Sequence, residues 1–406
     1  MRAAVTSASA LRWAALIAVT SLAGGESSRS AGAVAPPTVV AGVCPAAASP
    51  PVHVDLPLAA PPSNFPVTAR GGETAGNAPS VPSVALVVGD PQGSTSKVKI
   101  ADAHGAVTTL GIVSHRQGSA LRASTTFDQG VALDADISSG QDLSFVGGLF
   151  YARVGVAPKL LAVDVVHSST PLALEDGRIL VSRGAAGPPS DIADGRLASR
   201  IDDLTVDAVD PDRGTVETIA KFHGYLLFLA GHLGREVFLY RVGEGHADLL
   251  AVDVESLETR SLIDDMAPFA RDFSVDAETK SVVFQDAEDD AWITERLSLS
   301  AMSISRIGRS TSMETTPHVL PGGDVLVTPE SGRGPVRIAG GPVNMGPGVA
   351  RLADVDPSRA FATGTAARPG ELARPFIVNL STGEVEWIAV DEGERAVVAG
   401  FMRGGR

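Results

Sequence analysis

Eight histidines, at positions 53, 104, 115, 167, 223, 232, 246 and 318, are the side chains of this 406-residue sequence best suited to moving protons or holding a metal. No two neighbours among them have metal-ligand spacing, and His-Glu-x-x-His does not occur. His223 and His232 flank the apolar stretch Gly224–Gly231. On a strand pair they could meet; the expectation is that both are surface turn residues. The single cysteine, Cys44, can form neither an internal disulfide nor a Cys-based zinc site. A Gly-x-Ser-x-Gly nucleophile elbow is absent, so no attached α/β-hydrolase domain is expected, and no phosphate-cradling loop of the Gly-x₄-Gly-Lys-Ser/Thr kind is present.

Carboxylates are the other chemical resource. Asp286, Glu288, Asp289 and Asp290 fall within five residues, and oxygen-rich turns can hold Ca²⁺. This one lacks the alternating Asp order and the distal Glu of a calcium loop, so a solvated acidic turn is expected, as at Asp134–Asp136 and at Asp202-Asp203. Residues 183–196 form a longer Gly/Pro/Asp loop, a type that often carries binding on a rigid scaffold, although an insertion without a role fits equally well. These residues assign no catalytic, cofactor-binding or metal-ligating position, and no cofactor is expected.

The elements that must position such groups are strands. Hydrophobic residues make up 44% of the chain and aromatics 5%, with 43 Gly and 27 Pro, so short Val/Leu/Ile runs punctuated by turn formers dominate and long helical runs are scarce. A net charge of −14 repels phosphate backbones, which argues against nucleic acid as a partner.

From residue 83 the chain repeats. The hexapeptide "LLAVDV" occurs at Leu160–Val165 and again at Leu249–Val254. Hairpin-like segments centre on Asp102, Asp164, Asp207, Asp253, Arg296, Arg337 and Asn379, and successive centres differ by 62, 43, 46, 43, 41 and 42 residues. Five of these steps match one four-stranded propeller blade. The long step is read as containing an extra segment over Ser114–Asp128, and the two hexapeptides as equivalent strands two blades apart. Paired strands also bracket a polar turn within Asp272–Asp286 and turns at Asp176-Gly177, Pro321–Asp324 and Asp356–Ser358, where Gly, Pro and Asp supply positive φ, fixed φ and side-chain capping. The expected fold is therefore all-β: a single β-propeller of seven blades of four antiparallel strands, with six or eight as the alternatives. The first blade lacks an innermost strand, and Glu394–Met402 is expected to complete it and close the ring.

The units "FSVDAETKSVVFQD" with "WITERLSLSAMSISRIG", and "VDPSRAFATG" with "FIVNLSTGEVEWIAV", resemble the WD40-like repeats of TolB-type propellers. The resemblance spans about residues 83–406, and no copy carries an intact Ser-Pro-Asp-Gly turn. It implies the architecture and little about activity.

The N-terminus reads as an address. Arg2 and Arg12 precede an apolar run from Trp13 to Ala23, which is shorter than a bilayer span, and Ala31-Gly32-Ala33 offers small residues for cleavage. Residues 1–33 are thus expected to be a signal peptide. Gly25 stands where a lipidated cysteine would be needed, and Cys44 lies too far along, so a lipoprotein is not expected. Residues 31–82 hold 11 Pro but only three charged residues, and 34–82 reads as a Pro/Ala-rich disordered tether, followed by the propeller over 83–406. Two functions fit. One is a non-catalytic, monomeric scaffold, periplasmic or secreted, without a transmembrane span in its mature form, that binds another envelope protein or a small ligand. The other is a metal-dependent propeller enzyme, lactonase- or lyase-like, with its site at the central channel.

Overall fold

Strands account for nearly all of the regular structure. A computed structural model describes residues 81–102, 106–137, 147–165, 169–184, 202–243, 246–267, 273–288, 291–310, 315–320, 323–329, 336–337, 341–342, 349–358, 360–367 and 372–403. Residues 1–80, with Cys44 and His53, lie outside the described residues, as do His104, His167, Asp289-Asp290 and most of the 183–196 loop.

The strands fall into seven groups of four, all antiparallel. Blade 1 comprises Val84–Gly89, Thr95–Ala101 and Val107–Ser114. Its innermost strand is Arg395–Phe401, from the far end of the chain, which pairs with Val84–Gly89 through Leu86↔Val398 and Val88↔Ala396. The tail thus closes the ring as the sequence suggests, and no blade is left with a missing inner strand. Blade 2 runs from Leu121–Thr125 through Gly130–Asp136 and Gly147–Arg153 to Val156–Val165. Blade 3 begins at Leu172–Ala173 and ends at Val216–Gly224; one residue pair, Val165↔Arg183, links the sheets of blades 2 and 3. Blades 4, 5, 6 and 7 start at Leu226–Leu233, Phe273–Asp276, Thr315–Val319 and Val349–Val355. Around the ring Arg395–Phe401 touches Leu121–Thr125, which touches Leu172–Ala173; Leu226–Leu233 meets blade 3 through Ile179–Gly184, and the first strands of blades 4, 5, 6 and 7 then touch in succession back to Arg395–Phe401.

The core lies between the blades. Each of seven apolar clusters joins two adjacent blades: Val87 and Val98 meet Leu133 across blades 1 and 2, while Leu86 and Phe401 meet Phe361 and Ile377 across blades 1 and 7. Fully burying a side chain of this size stabilises the fold by about 1.5–3 kcal/mol. The innermost strands also present N–H groups at a sheet edge. Ser169 accepts from Leu229 N at 3.0 Å, Ser274 from Val319 N at 3.3 Å and Asp354 from Phe401 N at 2.9 Å, each tying one blade to the next.

The turn after the third strand repeats a local device in blades 3, 4 and 7. The side-chain oxygen of Asp210, Asp253 or Asn379 accepts two backbone N–H groups two and three residues on, at 2.9–3.1 Å. The fourth residue on then takes positive φ: Gly214 (68°), Leu257 (61°) and Gly383 (72°). In blade 5, Ser298 caps Ala301 N, and Met302 occupies the same place at φ 47°.

Several expectations need correction, among them Asp202-Asp203, which open the strand Asp202–Val209 and do not form a turn. The first "LLAVDV" lies in the outermost strand of blade 2 and the second in the third strand of blade 4, so they are not equivalent. Alternation of apolar residues marks a strand but not its rank in a blade; the rank is set here by the turn at Val154-Gly155, where Gly155 has φ 76°. Ser114–Asp128 is not an extra segment, because it contains the innermost strand Leu121–Thr125. Asp134 and Asp136 do not form a solvated turn: both are buried in the strand Gly130–Asp136, with Asp136 paired to Arg116 at 3.4 Å.

Candidate ligand site at the ring closure

The closing strand needs an unusual backbone. Gly400 has φ 126°, and a Cβ there would stand 2.6 Å from Asp354 Oδ2. Asp354 follows a bulge in the innermost strand of blade 7, which turns its carboxylate toward Phe401 N. Burial pushes this carboxyl up to about 6, against the opposing effects of the Phe401 N–H bond and of Arg403. Met402 N then donates to Ser83 O at 2.8 Å, which carries the chain out to Arg403.

A cleft of about 480 Å³ opens here, lined by Phe127, Asp354, Asp356, Ser358, Met402 and Arg403 among others. The neighbouring turn is rigid because Asp356 Oδ1 accepts from Phe361 N at 2.6 Å and Oδ2 from Ser358 N at 3.1 Å and from its hydroxyl. Phe127 is held from the other side. Asp128, next in the chain, accepts from Thr126 Oγ1 at 2.5 Å and from the Tyr151 hydroxyl, and Arg153 reaches both Asp128 (3.4 Å) and Asp212 (2.9 Å). Burial works to raise the Asp128 carboxyl, but the Thr126 and Tyr151 hydrogen bonds outweigh it and hold it below the usual range. Burial, then Asp128, drives the Tyr151 hydroxyl upward.

Thus fixed, the Phe127 ring meets His232 of blade 4 edge-on, with centroids 6.4 Å apart. Blades 2 and 4 are not neighbours, so this contact links two non-adjacent blades. The Arg403 guanidinium lies over the same ring, 4.8 Å from its centroid. Burial, then the Arg403 charge, lowers the His232 pKa, so its imidazole is neutral at physiological pH. Among the described residues, no acceptor lies within hydrogen-bond distance of Arg403. A guanidinium carries five N–H donors, and those of Arg403 face a cleft.

A second cleft, of about 440 Å³, lies on blade 4 against Arg241, His246, Asp248, Ser261, Asp264 and Asp265. Its groups pair among themselves: Arg241 with Asp248, Ser261 Oγ with Asp264 at 2.5 Å, and His246 Nε2 3.7 Å from Asp248. That internal pairing makes it the weaker candidate.

The histidines disperse. His223 is exposed on the outer strand of blade 3, 3.0 Å from Asp203, and His232 lies within an innermost strand, so neither is a turn residue. His115 bonds Ser96 at 2.9 Å, and His318 is buried in blade 6, where desolvation lowers it to about 4. Asp286 caps Ala267 N at 2.8 Å. Among the described residues, no three His, Cys, Asp or Glu side chains stand close enough to hold a metal ion, and no helix is long and apolar enough to cross a membrane. Phe127 and Arg403 were not singled out from sequence. An aromatic in an Asp/Gly turn was the available signal for the first, and nothing local marked the second.

Neither a protein-family model nor a curated protein sequence matches the chain. Solved structures do. The acylaminoacyl peptidase of Pyrococcus horikoshii is similar at a TM-score of 0.53 and 11% identity, over 77% of this chain and 51% of that one. The chain has the β-propeller fold. The propeller spans about half the length of that peptidase. TolB from Acinetobacter baumannii is similar at 0.46 and 10% identity, over 79% of this chain and 67% of that one. An oligogalacturonate lyase in complex with manganese is similar at 0.39 and 11% identity, over 75% and 78%.

Proposed function

We propose that this protein is an exported, non-catalytic β-propeller of the cell envelope that binds a protein segment or small ligand in the cleft at the ring closure. The observation that supports the site is convergence. Residues from blades 1, 2 and 7 line one cleft, and His232 of blade 4 reaches it through Phe127. Such a place is where a ring of sheets can present side chains distant in sequence to one ligand. Its volume of about 480 Å³ falls in the range of ligand pockets. Export rests on the charged start, short apolar run and small residues of 1–33, and the Pro/Ala-rich stretch 34–82 suits a tether.

Expression of the full chain in a bacterial host tests the first part. The mature protein should be recovered outside the cytoplasm with its N-terminus near Val34. An uncleaved Met1 terminus in the cytoplasmic fraction would overturn the export reading. Metal analysis of the purified protein, with stoichiometric metal retained through dialysis against a chelator, would favour the enzyme reading instead.

A further inference from the structure

Arg403 is a partly buried cation with a stacked ring on one side and, among the described residues, no acceptor for its N–H groups. Polar groups placed this way normally have partners. The pairing that matches a planar fork of donors is a planar, two-oxygen anion, held by two parallel hydrogen bonds. Phe127 holds the fork flat and is itself locked by the Thr126–Asp128–Tyr151 network, so the site is set before any ligand arrives.

The rest of the lining restricts the anion. Asp354 and Asp356 line the cleft, and Glu175 and Asp176 lie near enough to act on His232. A phosphate dianion would face these carboxylates with two negative charges and a monoanion with only one, so the monoanion is the less repelled partner for Arg403. Asp354 also offers an acceptor for a hydroxyl or amide N–H beside the anion, since the Phe401 and Val355 N–H groups use only part of the acceptor capacity of a two-oxygen carboxylate. Asp356 is satisfied within its own turn and adds only charge.

We propose that the ring-closure cleft recognises a monocarboxylate, gripped in two-pronged fashion by Arg403 on its Phe127 platform, with Asp354 reading a neighbouring hydrogen-bond donor. This rests on the reading of the cleft as a binding site. A free small acid and the C-terminus of a peptide share that chemistry.

The test is calorimetric titration of the full mature protein with four probes: N-acetylphenylalanine, its carboxamide, a tripeptide ending in a free phenylalanine carboxylate, and inorganic phosphate. The acid, the tripeptide or both should bind at least about tenfold more tightly than the carboxamide and phosphate, the loss expected when a charged two-pronged pair is removed. Preference for the tripeptide over the acid identifies a peptide terminus as the source, and the reverse a free acid. R403Q should abolish the preference for acid over amide and R403K should weaken acid binding, with circular dichroism confirming the fold. The comparison of acid with amide on the unaltered protein stands even where a variant fails to fold. Equal binding of acid and amide, tighter binding of phosphate, or no binding of any carboxylate by the folded protein would overturn the proposal. Ligand recovered unchanged keeps the non-catalytic reading; ligand that binds as predicted but is converted would defeat that reading and leave carboxylate recognition standing.

Discussion

Replacing Asp354 by Asn isolates the electrostatics of ring closure. The fold raises this carboxyl from its ordinary value near 3.8 to about 6. A raised carboxylate pKa means that the native state holds the proton more tightly than the unfolded chain. The associated stability is therefore fully present below about pH 4 and is lost as pH rises through about 6. Two pKa units correspond to roughly 3 kcal/mol. Asp354 keeps some contact with solvent at the cleft, which screens its charge and reduces the figure to about 1–2 kcal/mol. Asparagine keeps an oxygen to accept from Phe401 N and never ionises. D354N should thus be more stable than the parent by about 1–2 kcal/mol at pH 7.5, with the gain shrinking toward zero near pH 4.5. Urea unfolding followed by tryptophan fluorescence at the two pH values measures this. A variant less stable at pH 7.5 than the parent, or one with the same difference at both pH values, would refute the reasoning.

Other outcomes follow from single residues. His318 is buried and its pKa is lowered to about 4 by desolvation, so stability should fall as pH drops below about 6.5 and level off near 4; H318Q should flatten that loss in the same urea experiment. Leu257 occupies a left-handed turn position that Gly214 and Gly383 fill in other blades, and it is exposed, so L257G should raise stability by about 0.5–1 kcal/mol, read as an upward shift of Tm. Phe401 is 1% exposed in the cluster joining blades 1 and 7, so F401A should cost about 3–5 kcal/mol and expose the edge of Val84–Gly89 to rapid hydrogen exchange.

Architecture was legible wherever one turn controls one hairpin. Asp210, Asp253 and Asn379 announce their turns because an Asx side chain and a following positive-φ residue act within five positions, and the closing strand could be inferred because blade 1 had an unfilled place. Rank within a blade was less legible. Leu160–Val165 and Leu249–Val254 are identical in sequence, yet one is an outer and the other a third strand, since strand position depends on a turn outside the hexapeptide. Burial of Asp134 was hidden for a related reason: two acids separated by one residue look the same in a loop and on one face of a strand. The candidate site was the least visible. Arg403 meets Phe127 only because the ring closes and brings the end of the chain to blade 2, and no local pattern encodes a contact across that separation.

Ring closure is also what the whole account depends on, and Lys97 reports it without any substitution. Its Nζ lies 2.9 Å from Glu394 Oε1, and Lys99 lies 3.7 Å from the same carboxylate. Zero-length carbodiimide coupling of the native protein, followed by peptide mass spectrometry, should yield a cross-link between the strand Thr95–Ala101 and Glu394, and urea should abolish it. Coupling of Lys97 and Lys99 only to carboxylates other than Glu394 and the nearby Asp391 in the native protein would contradict a ring closed by its own tail.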